Sequence, residues 1–121
     1  MAHWAEIDKN NIVVRVTIGD NNELDEGYQW LVDNLGGTWL KTSYNTLHGK
    51  HLLGGTPLRG NYAGIGYTYY PEIDAFMPSS DYPSWIINTE NYTWMAPVPK
   101  PDSGLWVWDE SIINWKEYHP E

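Results

Sequence analysis

The chain has 121 residues, 41% of them hydrophobic and eight of them Trp against a single Phe, which is one domain's worth of sequence and too rich in large buriable side chains to stay disordered. Its 7 basic and 16 acidic residues leave a net charge of −9, a field that opposes wholesale binding to nucleic acid or to an anionic membrane. The absence of cysteine excludes disulfide scaffolds, thiolate zinc sites and thiol nucleophiles, and with no apolar run near about 18 residues and no leader-like start at Met1–Asp8 the chain is expected to be soluble and without an export signal of its own.

In chain order, Trp4–Ile7 and Ile12–Val16 flank the turn formers Asp8-Lys9-Asn10-Asn11 and predict a first β-hairpin. After the loop Asp20-Asn21-Asn22, apolar residues recur at Leu24, Tyr28, Leu31 and Leu35, the spacing of one helix face, and Gly36-Gly37 supplies a stop. The spacing predicts one short helix over about residues 24–35. Thr38–Tyr44 alternates as a strand.

Residues 41–66 are a basic island. They hold Lys41, Lys50 and Arg59 and no acid, whereas residues 1–40 carry two bases and seven acids and residues 67–121 two bases and nine acids. Six of the eleven glycines fall in the island, which predicts a long connection with a flexible backbone.

The C-terminal half contains a repeat. Aromatics stand nine residues apart in Tyr67/Phe76, Trp85/Trp94 and Trp106/Trp115, each pair flanking a polar turn. Three β-hairpins are predicted, the two aromatics of each opposing one another across the ladder. Proline-bearing linkers, Pro78–Pro83 and Pro97–Asp102, keep the chain extended between them. The fold class is therefore mainly β with a minor α part: a small single domain of consecutive hairpins with one short helix, comprising 1–40, the 41–66 loop and 67–121. Hairpins are marginal alone in water, so their aromatic faces are expected to stack on each other, on the N-terminal region or on another chain.

Little in the chain looks like catalytic machinery. No organised nucleophile, base and oxyanion set is present, and Gly54-Gly55-Thr56-Pro57 and Gly64-Ile65-Gly66 complete no phosphate-binding loop. Carboxylate pairs Glu72/Asp74 and Asp109/Glu110 have the residue types of a glycosidase but sit where hairpin turns recruit acids. His48 and His51 are a weak metal pair that lacks a third ligand nearby, so no metal or other cofactor is expected, and a small metal-dependent enzyme of unknown reaction is only an alternative. Asn91-Tyr92-Thr93 matches a glycosylation sequon that has no meaning without export.

Two sets of residues are candidates for binding. Tyr44, Arg59, Asn61 and Tyr62 lie in the acid-free island, where Arg59 either anchors an acidic partner or forms an internal salt bridge. Trp106 and Trp108 point to one face of a strand and make either a core pair or a sugar-stacking platform.

Several stretches together carry a resemblance. They are Trp39–Thr46, Gly55-Thr56-Pro57-Leu58-Arg59-Gly60-Asn61-Tyr62-Ala63-Gly64-Ile65-Gly66-Tyr67-Thr68-Tyr69, Asp74-Ala75-Phe76, Tyr82-Pro83-Ser84-Trp85, the opening Met1–Asp8 and Trp94–Pro99. In these the chain resembles a family of small proteins encoded by tailed phages of marine bacteria, chiefly cyanophages and their relatives. The loop Thr46–His51 departs from the Gly/His arrangement of the relatives. The resemblance implies a virion or accessory protein, placed in the particle or the host cytoplasm, that binds virion proteins or itself. It carries over no catalytic residue. A glycan-binding module is the alternative.

Overall fold

The structure, a computed structural model, describes residues 2–20 and 22–120. Met1, Glu121 and Asn21 of the expected 20–22 loop lie outside the described residues. Among the described residues the fold is mainly β with a single α-helix. The chain divides into two compact units. One holds the residues up to Ser79 with Thr89–Tyr92, the other Ser80–Asn88 with the residues from Thr93 on.

The first unit is built on a three-stranded antiparallel sheet. Strands β1 (Ala2–Ile7) and β2 (Val13–Gly19) form the expected hairpin, and β3 (Thr38–Thr42) pairs with the other edge of β1, giving the order β2-β1-β3. The Asp8 carboxylate fixes the turn by accepting from the N–H groups of Asn10 and Ile12. A β-bulge lies where Glu6 faces Arg15 and Ile7 faces Val13, leaving Val14 as the extra residue.

Alternation along β1 divides the core in two. Trp4 packs with Leu31 and Trp39 beneath the helix, whereas Ala5 packs with Val13, Ala63 and Phe76 on the opposite face.

Helix α1 spans Tyr28–Leu35, not 24–35. Glu26 (φ 57°) and Gly27 (φ 92°) are left-handed and cannot continue a right-handed helix. The Asp25 carboxylate instead accepts from the N–H groups of Gly27 and Gln29. Leu24 is thereby stranded outside the helix and fully exposed, while Leu31 is 2% exposed.

The long connection expected over the island contains strand structure of its own. It folds a small hairpin, β4 (Thr46–Leu47) with β5 (Lys50–His51), around His48 (φ 51°) and Gly49 (φ 76°). Two successive positive φ angles define the type I′ turn, whose twist matches that of the flanking strands.

Three more hairpins follow as expected: β6 (Thr68–Tyr70) with β7 (Ala75–Met77), β8 (Ile86–Asn88) with β9 (Thr93–Met95), and β10 (Trp106–Asp109) with β11 (Asn114–Glu117). Their register differs from the expected one in the same way each time. Phe76 faces Tyr69 rather than Tyr67, Trp94 faces Ile87 rather than Trp85, and Trp115 faces Trp108 rather than Trp106. The cause is a four-residue turn ending in a left-handed residue, Asp74, Tyr92 or Ile113, at φ 50–51°. This turn centres each hairpin one residue later than the aromatic spacing implies. A slip of two preserves the face of every side chain.

The displaced aromatics are still used. In the second unit Trp85 stacks edge-on against Trp108 at 5.9 Å, Trp108 against Trp115 at 5.3 Å, and Tyr82 tilts over Trp85 at 5.1 Å. Glu110 closes this aromatic core. Its carboxylate accepts from the Trp108 indole and from the N–H and hydroxyl of Ser84, and these bonds, the indole's foremost, hold the carboxyl below its ordinary pKa.

Candidate functional site

Of the island residues singled out from sequence, two carry the architecture and two join a ring cluster in which only Tyr44 is exposed. Asn61 is 4% exposed. Its Oδ1 accepts from the N–H of His48, while its Nδ2 donates to the carbonyls of Phe76 and Tyr92. A buried amide that is satisfied in this way stitches the β4–β5 turn, strand β7 and the 89–92 turn together, and it is not available to a partner. Arg59 is likewise engaged within the unit. Its Nη1 donates to the carbonyl of Lys41, and its Nε lies 3.1 Å from Asp74 Oδ1, an ion-pair contact rather than an aligned hydrogen bond.

The Tyr69 hydroxyl donates to the same Asp74 oxygen. Burial, with the Asp74 carboxylate adding to it, raises the phenol's pKa. Lys41 pairs with Glu26. Two of the three island cations are thus neutralised within the unit, which weakens the island's pull on acidic partners.

Tyr44 and Tyr62 behave differently. With His3 of β1 they form a three-ring cluster in which His3 stacks on Tyr44 at 5.9 Å and meets Tyr62 edge-on at 5.5 Å, and the two tyrosines meet edge-on at 5.6 Å. Tyr44 remains 66% exposed. Burial, and secondarily Tyr44, pushes the Tyr62 hydroxyl above its ordinary pKa, so that phenol stays a neutral donor across physiological pH.

The cluster borders a groove of about 530 Å³ lined by His3, Tyr44, Lys41, Glu26, Thr56 and Pro57, among others. The third ring, His3, was not among the candidates read from sequence; only the pairing of β1 with β3, which sets His3 opposite Thr42, brings it to Tyr44. An exposed ring beside hydroxyls and an ion pair suits recognition of a partly apolar, partly polar group.

The remaining candidates are placed as follows. Trp108 is 6% exposed and belongs to the second unit's core, while Trp106 is half-buried with its indole donating to the Ser103 carbonyl. The two are not a coplanar exposed pair, so of the two alternatives read from sequence, core pair or sugar platform, the burial of Trp108 fits the core. His48 sits at the β4–β5 turn. His51 Nδ1 accepts from the N–H groups of Leu53 and Gly55, which ties the ring to its own loop. Among the described residues no three His, Asp or Glu side chains converge as a metal site would require.

Three of the four acids in these pairs have structural partners: Asp74 with Arg59 and Tyr69, Asp109 with the Ser111 N–H and hydroxyl, and Glu110 with Ser84 and Trp108. Among the described residues no helix is long and apolar enough to cross a membrane. No family model, curated protein or solved structure matches the chain.

Proposed function

We propose that the chain is a non-enzymatic structural or accessory protein of a tailed-phage particle that binds other virion proteins or a second copy of itself. The observation that carries the binding role is the His3–Tyr44–Tyr62 cluster, whose Tyr44 ring is exposed beside a groove of mixed polar and apolar lining and whose neighbouring charges are already paired. Aromatic side chains held in place by their neighbours lose little entropy on binding and are typical interface anchors. The assignment to a phage particle rests on the sequence resemblance described above. Mass spectrometry of purified virions tests it: the protein is expected in particles at a fixed copy number, and its absence from them overturns the virion role in favour of one in the infected host cell.

A glycan is the second reading, favoured by Ser43, Asn45 and Thr56 lining the groove beside the exposed Tyr44 ring. A neutral sugar stacked on Tyr44 and bonded to these polar groups would not be repelled by the chain's negative charge. A glycan array that gives signal with the parent chain and none with Tyr44→Ala supports this reading, and a blank array removes it.

A further inference from the structure

Strand β2 is an edge with its hydrogen-bonding groups left open. Arg59 donates to the carbonyl of Lys41 on the outer side of β3, so Lys41 faces away from β1. Because Lys41 lies opposite Trp4, and Thr42, Leu40 and Thr38 lie opposite His3, Ala5 and Ile7, these odd residues of β1 turn their N–H and C=O toward β3. The even ones, Ala2, Trp4 and Glu6, therefore bond to Gly19, Thr17 and Arg15 of β2. Val16 and Ile18 are left with outward N–H and C=O groups.

At the start of the strand the outward groups are occupied. Val13 N–H donates to the Tyr67 carbonyl, and the Val13 carbonyl accepts from the N–H of Gly66. Beyond Val13 no other described backbone group bonds to the edge. The usual protections of an edge strand, inward charge, lysine or proline, are absent from Val16–Gly19.

We propose that this edge is an interface with a second copy of the chain, the two β2 strands pairing antiparallel about a two-fold axis at Thr17. The proposal rests on the reading of this chain as a binding protein and names one of its partners. In this register Val16 and Ile18 each exchange both hydrogen bonds with Ile18 and Val16 of the second copy, four bonds in all. Thr17 faces Thr17, and Arg15 faces Gly19. The pairing is self-complementary: a Thr–Thr pair and two β-branched pairs face each other, and no like charges do.

The ends of the strand fix the register. The second copy leaves the ladder at Asp20, opposite the bulged Val14, and so never meets the Val13 groups taken by Gly66 and Tyr67. Arg15, opposite Gly19 of the second copy, brings no unpaired charge to the contact: its guanidinium is bonded to Glu6 and lies over the Trp39 ring of its own chain. A closed two-fold contact of this kind joins two three-stranded sheets into one of six strands.

The chain lacks cysteine, so the register can be read directly by cross-linking. Thr17→Cys places two thiols at a non-hydrogen-bonded pair whose spacing of about 4.5 Å between Cα atoms suits a disulfide. Under mild oxidation it should give a covalent dimer, whereas Ile18→Cys and Leu24→Cys should give little. The parent chain should sediment at twice its 14.0 kDa mass as concentration rises. Ile18→Pro, which removes an outward N–H without touching the β1 ladder, should stay at the single-chain mass with unchanged far-ultraviolet dichroism.

Amide exchange on the parent chain needs no variant: Val16 and Ile18 N–H should gain protection with concentration. A parent that remains a single chain with those amides unprotected at every concentration overturns the proposal. So does equal cross-linking at positions 17, 18 and 24, or a dimer that persists in Ile18→Pro. These readouts use purified protein alone, so their failure leaves the virion assignment standing, and absence from virions leaves the dimer standing.

Discussion

At the scale of single residues, polar side chains carry as much of the fold as the aromatics. Asn61 joins three segments that hydrophobic packing alone would leave free to slide. Asn61→Ala strands the His48 N–H and the Phe76 and Tyr92 carbonyls, and each buried group left without a partner costs about 1–3 kcal/mol; the melting temperature should fall clearly while the helix signal persists. Glu110 offers a pH test. Hydrogen bonds from the Trp108 indole and from Ser84 lower its folded pKa below the unfolded value, so between the two values the unfolded chain binds more protons and stability rises with pH. The stabilisation is complete above the unfolded value of about 4.3 and is lost as pH falls through the folded one. Asp109, lowered chiefly by the Ser111 hydroxyl, behaves in the same sense. Glu110→Gln should flatten the acid limb of the stability curve read by near-ultraviolet dichroism, and an unchanged limb would show that the carboxylate contributes nothing there.

At the scale of elements, the parts legible in the sequence are those governed by local patterning. The first hairpin, the third strand, the helix stop at Gly36 and all three aromatic hairpins are where β-branched runs, turn residues and glycines place them. The register of the hairpins was not legible, because the aromatic spacing fixes which face a residue takes but not where the turn is centred. That centre is set by a left-handed residue, and nothing in the types Asp74, Tyr92 and Ile113 marks them as a set. The helix start differs from the apolar period for a related reason: Leu24 continues the period, but Glu26 and Gly27 break the backbone. The roles of Asn61 and His3 depend on long-range pairing and have no local signal. Ile113 offers a test of the turn. A β-branched residue at φ 50° is strained, and its side chain is 52% exposed, so little packing opposes a change. Ile113→Asn, a residue that visits this region readily, should stabilise the chain by about 1 kcal/mol. A loss of stability in thermal melts would mean that the exposed isoleucine packs more than it strains.

At the scale of the whole molecule, the net charge of −9 makes any positive patch a candidate docking point, and the 41–66 island with its three bases and no acid is where such a patch is expected from sequence. The fold spends most of that charge internally: Lys41 on Glu26, and Arg59 on Asp74 and on the Lys41 carbonyl. What the island presents outward is instead aromatic, Tyr44 backed by His3 and Tyr62. Arg59 and Tyr44 should therefore separate stability from binding. Arg59→Ala removes a charge-assisted hydrogen bond and an ion pair from a side chain only 23% exposed, and it should cost about 1–2 kcal/mol after allowance for residual solvent screening, lowering the melting temperature with association unchanged below it. Tyr44→Ala removes an exposed ring, so it should melt with the parent and lose attachment to particles in a sedimentation assay with purified virions. The opposite pattern, an Arg59→Ala chain that melts normally but binds weakly and in a salt-dependent way, would identify the guanidinium as the anchor and the aromatic cluster as local packing.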